Sequence, residues 1–262
     1  AINGKTLTTS LTLKHGIASK ISLAEAAGAK AGQAFATTAV VRILDGQNNL
    51  VTENFNSNGT DYNDANASVT ATINDDAIEF ITSSTDPAAA GSGDRTISMG
   101  AIAGVADFSR IIDPGFGLKG AAGSYTIAYS VATTGSSTLS KSQSITLDHG
   151  VAAEARFKTG KQPQASVAAG DVLSPAPVIE LFDAYGNPAI TNATSQVQVD
   201  IVKPDATATA VATFGSNFTA VAGEVSLSGM HFESTPDTYK LRVRLLNSSA
   251  STIHTVLSSS FT

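Results

Sequence analysis

Cysteine is absent from the 262-residue chain, and so is tryptophan. The first absence removes disulfides, thiolate metal sites and cysteine nucleophiles together. It leaves an extracellular home open. Charge is also scarce: 15% of residues are charged, against about 25% in an ordinary globular domain. The net charge is −6, and no basic run gathers enough charge to grip a polyanion, which sets nucleic acid aside as a partner. No run of about 18 apolar residues occurs, so no segment reads as a membrane-spanning helix. The opening "AINGKTLTTS" is polar and does not read as a secretion signal. The chain is therefore expected either to have lost such a signal or to be a piece of something longer.

Hydrophobic residues make up 42% of the chain, enough to build a core. Gly, Ala, Ser and Thr take the place of the missing charge, a composition of turn-rich β proteins. The chain also repeats itself. "LTLKHGIASKISL" from Leu11 returns as "ITLDHGVAAEARF" from Ile145. "AGQAFATTAVVRILDGQNNLVT" from Ala31 returns as "AGDVLSPAPVIELFDAYGNPAIT" from Ala169. "AGVADFS" from Ala103 matches "AGEVSLS" from Ala222, and "SYTIAYSV" from Ser124 matches "TYKLRVRL" from Thr238. The blocks keep their order, so a whole domain is duplicated, a period longer than that of a solenoid unit. Residues 14–147 are read as one domain and 148–262 as the second. Residues 1–13 contain "TTSLT", which resembles the closing "SQSIT" and "SSSFT". They are read as the closing strand of a preceding repeat, or as a free N-terminal strand.

The periodicity is two. Tyr239, Leu241, Val243 and Leu245 alternate with Lys240, Arg242 and Arg244, and Tyr125, Ile127, Tyr129 and Val131 alternate with smaller or polar residues. This predicts strands with one face buried and the other, including Lys240, Arg242 and Arg244, in water. "SQVQVDIV" from Ser195 alternates likewise, and "GEVSLSG" should bury Val225 and Leu227. The alanine-rich stretch from Ser22 to Arg42 has helical propensity. Its counterpart contains Pro163, Pro175 and Pro177, which break helices. Both are read as loop then strand, with room for a short helical turn near Ala24 to Ala27. About seven strands per copy suit an all-β fold of two tandem immunoglobulin-like β-sandwich domains.

In "LFDAYGNPAI", Asp183, Gly186, Asn187 and Pro188 form a turn that resembles the D-x-x-G-N-P turn of bacterial immunoglobulin-like repeats of invasin or filamin type. "PDTYKLRV" and "AAGSYTIAYSV" resemble the strand near the end of those repeats. The first copy keeps Asp45 but has Asn48 and Leu50 where the second has Gly186 and Pro188. The resemblance implies spacer or adhesive modules of large surface or secreted proteins.

Four histidines are the first candidates for chemistry. His15 and His149 hold the same place in the two copies, each followed by Gly. A metal or catalytic pair is one reading. A linker residue packed on a domain seam is the favoured one, since the two should lie a domain length apart. His231 and His254 have no acid or nucleophile pattern around them, and no G-x-S-x-G, H-E-x-x-H or P-loop occurs. "ENFNSNGTDYNDANAS" from Glu53 carries Asp61 and Asp64, with Asp75 and Asp76 beyond. Carboxylates there could meet Ca²⁺, but the spacing fits no known calcium loop and a solvated loop is favoured. The first copy carries about 19 extra residues hereabouts, read as an inserted polar loop near 53–76 of the kind that often presents binding surfaces. Asn58, Asn66, Asn192, Asn217 and Asn247 lie in N-x-S/T sequons.

No residue is assigned a catalytic, cofactor-binding or metal role, and no cofactor is expected. The sequence reads as a non-enzymatic structural or adhesive segment of an extracellular or cell-surface protein, in a stalk, fibre, sheath or surface layer. Its expected partners are neighbouring immunoglobulin-like repeats or copies of itself, with a surface glycan or protein as a further candidate. The alternative is a ligand-binding module or an accessory domain pair of a secreted enzyme.

Overall fold

The computed structural model describes residues 10–57, 60–81, 94–113, 115–135, 138–192, 194–205, 210, 212–213, 217–231, 233, 235 and 237–262. In the first half the strands are β1 (Ala18–Ala24), β2 (Ala29–Lys30), β3 (Gln33–Ala34), β4 (Val40–Asp45), β5 (Phe55–Ser57), β6 (Thr60–Tyr62), β7 (Ser68–Ile73), β8 (Ile78–Phe80), β9 (Thr96–Gly100), β10 (Val105–Asp107), β11 (Gly117–Gly120), β12 (Gly123–Val131) and β13 (Leu139–Asp148). In the second half they are β14 (Ala152–Phe157), β15 (Val178–Asp183), β16 (Gln196–Val202), β17 (Ala212–Thr213), β18 (Phe218–Thr219), β19 (Glu224–Ser226), β20 (Lys240–Leu246) and β21 (Thr252–Leu257). Among the described residues the helical pieces are short 3-10 turns at Asp64–Asn66 and Phe108–Arg110.

One pairing scheme occurs twice. β4 lies between β1 and β10, and β15 between β14 and β19. Facing them, β12 lies between β7 and β13, and β20 between β16 and β21. The register agrees down to its irregularities. Ala18 pairs with Asp45 and Ala152 with Asp183, and each pair is followed by a register shift. Ala103 and Gly104 have positive φ (48° and 79°), as have Ala222 and Gly223 (51° and 76°). A two-residue turn of type I′ needs this at both positions; glycine meets the need at the second, and Ala103 and Ala222 adopt at the first a conformation uncommon for alanine.

The apolar faces meet in two clusters. One includes Val41, Ile43, Val69, Ile73, Ile127 and Tyr129, the other Ile179, Leu181, Val197, Val199, Leu241 and Val243. Tyrosine hydroxyls fix the start of the long central strands: Tyr125 Oη donates to Ala121 O at 2.8 Å and Tyr239 Oη to Thr235 O at 2.8 Å. Such a tyrosine corner marks immunoglobulin-like sandwiches. With the facing sheets, it makes the fold all-β and immunoglobulin-like.

Several details differ from expectation. The helical turn allowed near Ala24 to Ala27 is replaced by extended chain, because Ala27 exchanges both backbone bonds with Thr37 (2.9 and 3.1 Å). The insertion expected near 53–76 is two insertions around a core strand. Ala71 pairs with Tyr129 as Val199 pairs with Val243, so β7 is the counterpart of β16, and its Val69, Ala71 and Ile73 are buried. The extra residues fall before β7, where β5 and β6 form a hairpin, and between β7 and β9. Tyr125 is half-buried rather than buried, because its hydroxyl turns out to the Ala121 carbonyl. Arg242 and Arg244, expected in water, are half-covered. Both bend onto Asp200, fully buried on the outer face of β16, at 2.8 and 3.0 Å. Of the strand expected at 1–13, residues 1–9 lie outside the described set. Residues 10–13 pair with no strand among the described residues, and Leu11 and Leu13 are 93% and 92% exposed.

Candidate functional site

Asp45 ends β4 and Asp183 ends β15, and each is 1% exposed. A carboxylate removed from water must be met by donors. Here the donors are the same, atom for atom. Gly16 N–H donates to Asp45 Oδ2 and Gly150 N–H to Asp183 Oδ2, both at 2.7 Å. Gln47 and Asn49 N–H donate to Asp45 Oδ1 at 2.9 and 2.8 Å; Tyr185 and Asn187 N–H donate to Asp183 Oδ1 at 2.8 and 2.9 Å. The Nδ2 groups of Asn49 and Asn187 complete the sets at 3.0 and 2.9 Å. Four donors stabilise the charged form: the Gly16 N–H, then the Asn49 side chain, hold the Asp45 carboxyl well below the usual carboxylate range. The turn requires positive φ at its fourth residue, 72° at Asn48 and 80° at Gly186. The first copy's departure from the Gly motif therefore leaves the conformation intact, since Asn tolerates the left-handed region.

The histidines belong to the same knots. His15 Nδ1 donates to Gly16 O at 2.9 Å and His149 Nδ1 to Gly150 O at 2.7 Å. Their Nε2 atoms accept from Glu53 N–H and Thr191 N–H, both at 3.1 Å. Because a carbonyl only accepts, the proton sits on Nδ1. Each ring thus ties the chain entering β1 or β14 to the segment after the Asp turn. The two histidines lie in separate knots, so no paired metal or catalytic site forms from them.

Asn187 reaches further than Asn49. Its Oδ1 accepts from Ala122 N–H at 2.8 Å and its Nδ2 donates to Gly120 O at 2.9 Å. The second half is thereby bonded to the first across a seam. Ala31 N–H donates to Asp148 O at 2.9 Å beside it. A Cβ on Gly150 would lie 2.4 Å from Ala31 O, and one on Gly32 would lie 2.7 Å from Tyr185 Oη. At Gly150 the obstacle is backbone, so only glycine allows the approach; at Gly32 a φ of 75° favours glycine, and Tyr185 packs on the first half's hydrophobic cluster.

The remaining candidates are dispersed. His231 is exposed and bridges Val172; His254 Nδ1 accepts from Ala155 N–H at 3.3 Å. Asp64 is buried, and its Oδ1 takes Thr134 N–H at 2.8 Å, pinning the insertion to the turn after β12. Asp61 lies exposed on β6, Asp75 caps Ala77 N–H at 2.8 Å, and Asp76 pairs with Arg95. Among the described residues no group of three or more His, Asp or Glu gathers that could hold a metal. Asn58 lies outside the described residues; Asn66, Asn217 and Asn247 are exposed. Asn192 is half-buried, with its Nδ2 on Ser195 Oγ at 2.7 Å. The seam role of Asn187 and the buried Asp200 were not foreseen. For the first, the shared Asp-to-Asn spacing after each His-Gly was the available signal; for the second, Asp200 reads as one more outward residue.

No family model and no curated protein matches the chain. Among solved structures, invasin, a bacterial integrin-binding protein, aligns over 93% of this chain and 39% of its own at 15% identity, with a TM-score of 0.32. A β-glycosidase from Bacteroides vulgatus aligns over 91% of this chain and 24% of its own at 12% identity and 0.30. Fibronectin(III)-like modules of CbhA from Clostridium thermocellum align over 90% of both chains at 11% identity and 0.25. The chain spans well under half the length of the first two. These are distant likenesses, and the immunoglobulin-like assignment stands on the strand order and the tyrosine corners.

Proposed function

We propose that the chain is a non-enzymatic structural segment of a larger extracellular or cell-surface protein. Two tandem sandwich units, 14–147 and 148–262, would serve as stiff spacers in a stalk, fibre, sheath or surface layer. The carrying observation is the seam. Asn187 is part of the second unit's own knot and also holds Gly120 and Ala122 of the first. The joint therefore cannot loosen without disturbing a buried carboxylate. Only His149, Gly150 and Val151 separate β13 from β14, and two of these three are knotted. Flexible tethers are long and rich in Gly and Ser, the opposite arrangement. The two hydrophobic clusters and the doubled knot support the division into units.

The absence of cysteine permits a clean test. Paired labels at Ile102→Cys and Ile253→Cys, both exposed positions, should give a narrow distance distribution. Asn187→Ala should broaden it. A broad distribution in the otherwise unaltered chain refutes the stiff-spacer reading.

A further inference from the structure

We infer that the Asn49 face of the first unit is a second, open copy of the seam, built to receive another sandwich unit of the first unit's own kind. The inference rests on the seam reading above. The receiving side of the seam consists of His149, Asp183 and Asn187, and His15, Asp45 and Asn49 reproduce it bond for bond. Asn187 is 7% exposed because the first unit covers it. Asn49 is exposed, and among the described residues its side chain bonds only Asp45. One N–H and the Oδ1 are left over, the same atoms that Asn187 uses on Gly120 and Ala122. A groove lined by Leu13, Lys14, His15, Asn49, Leu50 and Glu53 lies at this face.

A second observation points to the same occupant. Leu11 and Leu13 are the counterparts of Ile145 and Leu147 in the repeat. The latter two are 7% and 1% exposed in the first unit's core, where they close its last strand. Leu11 and Leu13 are exposed at the same spacing of two. A sandwich seated on Asn49 would take them into its own core.

The occupant must offer a carbonyl and, two residues on, an N–H, as Gly120 and Ala122 do. The tyrosine corners identify the corresponding residues at the far end of this chain: Tyr239 Oη reaches Thr235 O as Tyr125 Oη reaches Ala121 O. Ala122 therefore corresponds to Pro236, which has no N–H. The second unit of another copy cannot complete the clamp, whereas a unit with a Gly-x-Ala corner can. Gln47 stands where Tyr185 packs across the existing seam, so the new joint depends on the Asn49 clamp.

The test is a full chain in which residues 15–148 are repeated immediately ahead of His15, which recreates the natural junction. Hydrogen exchange at Ala122 of the added unit should be slowed, and Asn49→Ala should speed it by about tenfold, the loss expected for one hydrogen bond. Exchange at Val131 reports that the unit still folds. Exchange of the Asn49 side-chain amide needs no substitution and should slow on adding the unit. Unchanged Asn49 side-chain exchange, or an added Ala122 that exchanges equally fast with and without Asn49, overturns the inference. Asn187→Ala in the unextended chain separates the two readings. If it frees Ala122 while the added joint stays unprotected, the seam reading stands and this inference falls; if it leaves Ala122 protected, both fall. Self-association of the unextended chain that Asn49→Ala abolishes would make a second copy the occupant and also overturn it.

Discussion

Asp183→Ala tests whether the knot holds the second half together. The carboxylate accepts four hydrogen bonds, from Gly150, Tyr185 and Asn187 N–H and from Asn187 Nδ2. Tyr185 is half-exposed, so its freed N–H can turn to water. Gly150 and Asn187 are buried, and their N–H groups lose a charged acceptor without replacement. At about 1.5–3 kcal/mol for each bond to a charged group, the two buried backbone donors set a cost of about 3–6 kcal/mol. The anchor of Asn187 goes with it, so its grip on Gly120 and Ala122 weakens. Asn187→Ala should therefore add little on top: the double variant should fall short of the summed single costs by about 1–2 kcal/mol, the coupling expected of one network. Urea unfolding followed by circular dichroism gives the free energies, and amide exchange at Ala122 reports the seam. A cost below about 1 kcal/mol for Asp183→Ala, or strictly additive variants, refutes the knot as a cooperative unit.

Leu241→Ala should destabilise the second half by about 2–5 kcal/mol, as deletion of a fully buried leucine does; a loss under about 0.5 kcal/mol in urea would mean the strand face is wrongly assigned. Gly223→Ala should cost more than Gly229→Ala in the same assay. Both have positive φ (76° and 72°), but a Cβ at Gly223 would lie 2.5 Å from Ala189 O while Gly229 has open space; equal costs would show that the close approach does not matter. The Asp45 carboxyl sits below its ordinary value near 3.8. Its contribution to stability is therefore present above that pH and is lost as pH falls through it towards the folded value. Asp45→Asn should flatten the acid limb of the stability curve, and an unchanged acid limb would refute the assignment.

The internal repeat made much of this legible. Period-two alternation located the central strands, and prolines in one copy settled the alanine-rich stretch of the other. The knots were half-visible: the His-Gly pairs and the Asp turn were noticed separately, because sequence does not reveal that a histidine and an aspartate about 30 positions apart meet at one strand junction. The buried Asp200 was invisible for a related reason. Outward positions on a strand are read as wet, and only the cross-strand neighbours Arg242 and Arg244 make burial of a carboxylate tolerable there. The insertion was misjudged because residue counting cannot tell a strand inside a longer segment from the loops on either side.

What the two copies keep follows from what each contact tolerates. In the cores they differ freely: Tyr129 pairs with Ala71 where Val243 pairs with Val199. A large and a small side chain in one copy thus replace two of middle size in the other, a near volume-conserving exchange that packing accepts. The knots keep Asp, Asn, His and the following Gly without change. A buried carboxylate has no such freedom, since each oxygen needs donors at fixed places and a lost donor is not replaced by a nearby methyl group. Asn49 is accordingly retained in full although, among the described residues, its side chain bonds only its own aspartate. Holding Asp45 accounts for one of its N–H groups; the other N–H and the Oδ1 are the atoms with which Asn187 bonds Gly120 and Ala122 across the seam.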